Sequence, residues 1–183
     1  MTVILLAAGL STRMGCSKLL LPFHGKPLVV STLEAAIAAA DRVIVVTGHD
    51  RINIENAIRK YNAEIVFAPD YLKGQKYSTL RGVREVKDDD FAIIPGDLPL
   101  ILPEDFKGTE KLLQTHTIAR ASFNSIPGHP VMYRNEHRDK LLSYPGTMKE
   151  YLKENDIGFY EGSKGTILDA DTKETYQRIL MKG

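Results

Sequence analysis

The chain has 183 residues, 43% of them hydrophobic and 26% charged, and a formal net charge of +1 at neutral pH. That balance is ordinary for a globular protein and excludes a broad nucleic-acid-binding or membrane-surface face. The single cysteine, Cys16, excludes an intrachain disulfide framework, and no apolar run reaches membrane-spanning length. One domain over residues 1–183 is expected, in a reducing, cytoplasmic setting, because Met1-Thr2 leads straight into an apolar run with no charged leader.

In chain order, Val3 to Ala8 reads as a buried strand, apolar throughout and ended by Gly9. A long loop rich in Gly, Ser, Thr, Arg and Lys follows, and a helix is expected from Pro27 to Ala40. Val43 to Val46 is a second strand, Ile52 to Tyr61 a helix, and Ala63 to Phe67 a third strand. A loop through Pro69, Asp70 and Gly74 leads to a helix expected to start at Ser78, as its cap, and to end near Val86. Phe91 to Ile94 is a fourth strand running into Pro95-Gly-Asp97.

The second half is less regular. A helix is expected over Glu104 to Thr115, then strands Ile118 to Phe123 and Val131 to Arg134 separated by a turn over Asn124 to Pro130. Helices follow at Glu136 to Leu142 and Thr147 to Asn155, extended pieces at Ile157 to Tyr160 and Thr166 to Leu168, and a last helix at Thr172 to Met181. Apolar strands alternating with helices predict an α/β fold with a mainly parallel sheet and right-handed crossovers. In such sheets ligands bind beyond the carboxyl ends of the strands.

Two of those ends carry the candidate chemistry. The first is the loop from Leu6, Ala7, Ala8 and Gly9 through Ser11 and Arg13 to Gly15 and Lys18. It is longer than an ordinary strand-to-helix connection, and its glycines, backbone N–H groups and two cations suit a polyphosphate. It is neither a Walker A loop nor a Gly-x-Gly-x-x-Gly fingerprint, and a merely flexible loop stays open as a reading. The second is Asp97, either a turn aspartate or a ligand for a hard divalent cation such as Mg²⁺. Asp169 and Asp171 share one face of an extended run, where a bound cation would relieve their repulsion, although Asp171 also suits the start of the last helix. Ser78 and Arg81 open a helix that a base or phosphate would approach, and a plain cap explains Ser78 equally well. The five histidines lack zinc-site spacing, and His129 is the one that stands out, because Gly128 and Pro130 fix the chain on either side of it.

Taken together, Leu6-Ala-Ala-Gly-x-Ser-x-Arg-Met-Gly-x-x-Lys18, Pro69-Asp70, Ser78-x-Leu-Arg81, Pro95-Gly-Asp97, Gly128-His-Pro130 and Gly165-Thr-Ile-Leu-Asp-Ala-Asp171 resemble the motifs of the MobA-like nucleotidyltransferases, in order across nearly the whole chain. The resemblance implies a Rossmann-like three-layer fold of the nucleotide-diphospho-sugar transferase type, with a mixed central sheet. It implies that the backbone from Ala8 to Gly15 holds a nucleoside triphosphate, with Pro69, Asp70, Ser78 and Arg81 around it. Arg13 and Lys18 would neutralise phosphate, Asp97 would bind Mg²⁺, and His129 and the region of Asp169 and Asp171 would face the acceptor or complete the metal site. Ala8, rather than glycine, favours CTP over GTP among such loops.

The acceptor implied first is the phosphate of molybdopterin carrying molybdenum, with a molybdoenzyme or insertion chaperone as a downstream partner. A small phosphate such as a sugar phosphate, methylerythritol phosphate or phosphocholine is the alternative acceptor. A nucleotide-binding cofactor chaperone without turnover is the non-enzymatic one. Lys173 and Thr175 depart from the family's closing motif, and Leu98 and Gln75-Lys76-Tyr77 are further departures. These bear on the acceptor more than on the chemistry.

Overall fold

The computed structural model describes residues 1–11 and 15–182, so Arg13 lies outside the described residues. Its centre is β1 (Thr2–Ala7), buried along its whole length. It lies parallel to β4 (Arg42–Thr47) on one side and to β6 (Phe91–Pro95) on the other. Side chains alternate across a strand, so Val3 and Leu5 pack into one apolar layer while Ile4 and Leu6 pack into the other. Burial on both faces is why this run is continuously apolar rather than alternating.

The sheet order is β5-β4-β1-β6-β8-β7-β9, with β5 (Glu64–Phe67) parallel to β4. The strand β8 (Ile126–Tyr133) is antiparallel to both β6 and β7 (Ile118–Phe123), and β9 (Gly158–Glu161) is parallel to β7. The result is the expected mixed, mainly parallel α/β sheet. Residues from α1 (Leu28–Ala39), α2 (Arg51–Ile58), α4 (Pro103–Lys111) and α7 (Lys173–Leu180) fill one face. Those from α3 (Gln75–Val83), α5 (His137–Ser143) and α6 (Met148–Lys153) fill the other. A side chain such as Leu28 or Ile4, removed wholly from water, stabilises the fold by about 1.5–3 kcal/mol. Close approach of α3 to the sheet requires Gly82, where a Cβ would stand 2.9 Å from Val46 Cγ2. No helix among the described residues is long and apolar enough to cross a membrane.

Several boundaries differ from expectation. Helix α3 starts at Gln75 after Gly74, so Ser78 is a buried residue inside the helix and not its cap. A short hairpin, β2 (Pro22–Phe23) with β3 (Lys26–Pro27), precedes α1 and leaves Pro27 as the residue capping that helix. The turn before β8 is only Asn124-Ser125, both at positive φ (50° and 62°), the conformation two-residue hairpin turns favour. Residues 126–130 then belong to β8 in spite of Pro127 and Pro130. Pairing with β6 starts only at Val131, so this end of β8 is edge-like on that side, where proline is tolerated. The segment expected to extend over Thr166 to Leu168 begins instead in a helical turn, Lys164–Thr166.

Candidate functional site

The site forms where three segments distant in sequence meet at the carboxyl edge of β1 and β6. After β1, residues 8–11 and 15–17 form the described part of the first loop, and a turn of helix over Lys18–Leu20 follows. The Lys18 backbone N–H donates to Ser11 Oγ at 3.3 Å, which ties the two sides of that loop together. After β6, Gly96 N–H donates to the Leu6 carbonyl at 2.9 Å and the Thr32 hydroxyl to the Gly96 carbonyl at 3.0 Å. Those bonds hold Asp97 over the strand end. The third segment arrives from the far end of the chain, where Ala170 N–H donates to the Asp97 carbonyl at 3.0 Å. Ala170 points into the core, so Asp169 and Asp171 turn outward on the opposite side, as the period-two reading requires.

Lys18 joins the three. Its ammonium donates to Asp97 Oδ2 and, at 2.5 Å, to Asp171 Oδ1. Burial alone would lower the Lys18 pKa, but the facing carboxylates of Asp97 and Asp171 outweigh it and raise the value. Asp169 has its pKa raised, first by burial and then by the neighbouring charges of Asp97 and Asp171.

The cavity beside this cluster measures about 430 Å³. Leu6, Ala8, Gly9, Ser11, Lys18, Ser78, Asp97, His129, Asp169 and Asp171 all line it. The remaining expected residues that are described lie elsewhere. Ala7 packs in the core, and Gly15 and Pro69 are exposed without lining the cavity. Asp70 pairs with Lys73 at 2.7 Å, and Arg81 pairs with Glu85 one helical turn on. Tyr71 and Gln75 line the cavity unanticipated. The sequence marked Gln75 only as a departure from the family pattern, and nothing marked Tyr71.

His129 stands on β8 at the cavity wall, and its buried Nδ1 has no partner among the described residues. Burial, helped by the nearby Arg120 cation and opposed by the Ile93 carbonyl, lowers its pKa to about 4, so the ring is neutral at pH 7. Gly128 is needed just before it, because a Cβ there would stand 2.8 Å from Ile167 Cγ2 and overlap the Thr166 carbonyl.

Sequence reasoning also missed Asp105, which is 2% exposed. It accepts hydrogen bonds from Ser163 N–H at 2.7 Å, Ser163 Oγ at 2.6 Å and Leu102 N–H at 3.0 Å. It thereby anchors the segment that carries Asp169 and Asp171. A carboxylate in a helix first turn was legible, but a bond reaching 58 residues onward was not.

Asp97, Asp169 and Asp171, the residues expected to hold a metal ion, all reach the cavity. Among the described residues no group of three His, Cys, Asp or Glu is placed to hold a metal ion. The Lys18 ammonium instead lies against Asp97 and Asp171. The donor set nevertheless suits a hard dication, which takes one or two carboxylates and completes its shell from substrate phosphates. Among the described cavity residues, the acids Asp97, Asp169 and Asp171 outnumber the cation Lys18.

A family model described as the MobA-like NTP transferase domain matches residues 3–156. The molybdenum cofactor cytidylyltransferase of Escherichia coli K12 is 28% identical over 177 residues, covering 94% of this chain and 92% of that protein. In fold the chain is similar to the Rv0371c protein of Mycobacterium tuberculosis H37Rv (TM-score 0.87, 23% identity, 99% and 97% of the two chains). A manganese complex of the same protein gives a TM-score of 0.83 at 22% identity, covering 100% and 98%. A nucleotidyl transferase from a Methanothermobacter species is similar as well (TM-score 0.84, 24% identity, 98% and 95%).

Proposed function

We propose, because the chain belongs to the MobA-like NTP transferase family, that it transfers CMP from CTP to the phosphate of molybdopterin carrying molybdenum and releases pyrophosphate. An oxygen of the acceptor phosphate attacks the α-phosphorus in line, and the bond from that phosphorus to the β-phosphate oxygen breaks. The acceptor oxygen is already ionised at neutral pH, so the chain needs positioning and charge neutralisation rather than a strong base. The observation that carries the reading is Lys18, lodged between Asp97 and Asp171 at the foot of the glycine loop.

In this reading the backbone of Ala8 to Ser11 receives the triphosphate, with Arg13 and Gly15 further along the loop. Lys18 turns from its carboxylates to the phosphates, and His129, neutral at pH 7, hydrogen-bonds the acceptor. Asp97, with Asp171 or Asp169, holds Mg²⁺, and the mycobacterial protein of similar fold is known in complex with manganese. When bound, that ion supplies charge for the developing pyrophosphate. The choice of CTP rests on Ala8 and on the name of the Escherichia coli relative.

Pyrophosphate release with Mg²⁺, measured for CTP and GTP against molybdopterin, methylerythritol phosphate and a sugar phosphate in turn, tests it. Turnover is expected with CTP and molybdopterin, and Asp97→Ala is expected to lose about a hundredfold or more. Release with GTP alone would refute the base assignment, and release with a small phosphate alone would refute the acceptor.

A further inference from the structure

Across β6 from Lys18, a second cation lies just behind His129. In the sheet order, the Lys18 loop follows β1 and Arg120 lies on β7, on opposite sides of the strand that carries Asp97. Arg120 pairs across the sheet with Val131 of β8 and Phe159 of β9, next to the shift in register between Arg120 and Ser122. Cross-strand partners share a sheet face, so Arg120 lies on the face of Val131, and its cation is near enough to His129, two residues before Val131, to act on that ring. Its Nε–H donates to the Gly128 carbonyl at 2.8 Å, which fixes the guanidinium beside the residue that precedes His129 of the cavity wall.

Nothing among the described residues neutralises that charge. The side chain is half-buried, and among the described residues no carboxylate pairs with it. Arg42, by contrast, meets Glu64 through two donors at 2.8 and 2.6 Å. Glu161, the acid that β9 brings beside Ser122, already accepts from the Ser122 hydroxyl at 3.1 Å and from the Asn124 N–H. A guanidinium cannot shed its proton to escape burial, and a desolvated charge is costly unless an anion meets it. Gly128 uses one of its five donors, which leaves a fork suited to phosphate.

We infer that Arg120 is the specificity residue for the acceptor's phosphate, forming with His129 an acceptor subsite opposite the donor subsite of Lys18. The inference rests on the nucleotidyl-transfer reading for the identity of the ligand, but the anion site itself does not depend on it. Inorganic phosphate, titrated into the ¹⁵N-labelled protein and followed at the Arg120 Nε–H signal, probes that site directly. The signal is expected to shift in the wild type and equally in Lys18→Ala, where the donor side is impaired.

In turnover, Arg120→Gln is expected to raise the KM for molybdopterin about ten- to hundredfold, the loss of one charge-assisted contact. The KM for CTP and the melting temperature are expected to hold, because glutamine still reaches the Gly128 carbonyl. Arg120→Lys should recover part of the loss by restoring charge without the fork. An Arg120 signal indifferent to phosphate overturns the inference. So does an Arg120→Gln variant with lower thermal stability and both KM values altered alike, which would make Arg120 a brace between β7 and β8. Should CTP prove not to be the donor, the phosphate titration still decides the site.

Discussion

Replacing Lys18 by glutamine removes the ammonium that holds Asp97 and Asp171 together, and its consequences separate into three readings. The Lys18 and Asp97 side chains are 18% and 6% exposed, while Asp171 is 36% exposed. Leaving a buried charge wholly unpaired costs about 3–5 kcal/mol, but the open cavity beside Asp171 admits water, so about 1–3 kcal/mol is expected in urea unfolding. The Lys18 pKa is raised, so its stabilisation is complete below the ordinary lysine value and is lost only as pH climbs through the folded value. The difference between wild type and variant is therefore expected to stay constant from pH 6 to pH 9.

On catalysis, losing a cation aimed at transition-state charge costs about 3–4 kcal/mol, a hundred- to thousandfold drop in pyrophosphate release. The third reading runs the other way. Without the competing ammonium, Mn²⁺ alone, followed by electron paramagnetic resonance, is expected to bind Lys18→Gln about tenfold more tightly than wild type. Turnover near the wild-type rate together with unchanged Mn²⁺ affinity would refute the placement of Lys18 at the junction of phosphate and metal.

Asp105→Ala strips acceptors from Ser163 and Leu102 and is expected to cost about 3–5 kcal/mol, seen as a fall of about 6–20 °C in melting temperature. A higher Mg²⁺ requirement should accompany it, because the segment bearing Asp169 and Asp171 loses its anchor. The folded pKa of His129 lies near 4, below its unfolded value near 6.5, so stability should be flat above pH 6.5 and fall as pH drops toward 4. That loss amounts to up to about 3 kcal/mol, and His129→Gln should flatten this arm of a urea midpoint series. Gly128→Ala would push a methyl into the Thr166 backbone and Ile167 and should destabilise by about 1–3 kcal/mol. Its crystal structure should show the 164–167 turn displaced, and an unmoved turn at full stability would contradict the packing.

Strands β1, β4 and β6 were readable because each is buried on both faces, and a continuous apolar run leaves a local trace. So were the first loop, Asp97 at the end of β6, and the alternation that turns Asp169 and Asp171 to one side of Ala170. The start of α3 was misread because Ser78 has the chemistry of a cap, and Gln75-Lys76-Tyr77 carry no sign that the helix has already begun. The length of β8 was hidden by Pro127 and Pro130, since a strand's tolerance for proline depends on which neighbour it lacks.

What sequence by itself determined is thus the alternation of elements, the parallel core and the residue types gathered at its carboxyl edge, all written in periodicities a few residues long. What only the tertiary structure decided is which of those residues meet. Lys18 contacts partners 79 and 153 positions away, and the strand order around Arg120 brings no acid to it among the described residues. Ion pairs of that kind depend on how the sheet is assembled. A chain read residue by residue carries no local energy term that reports the strand order.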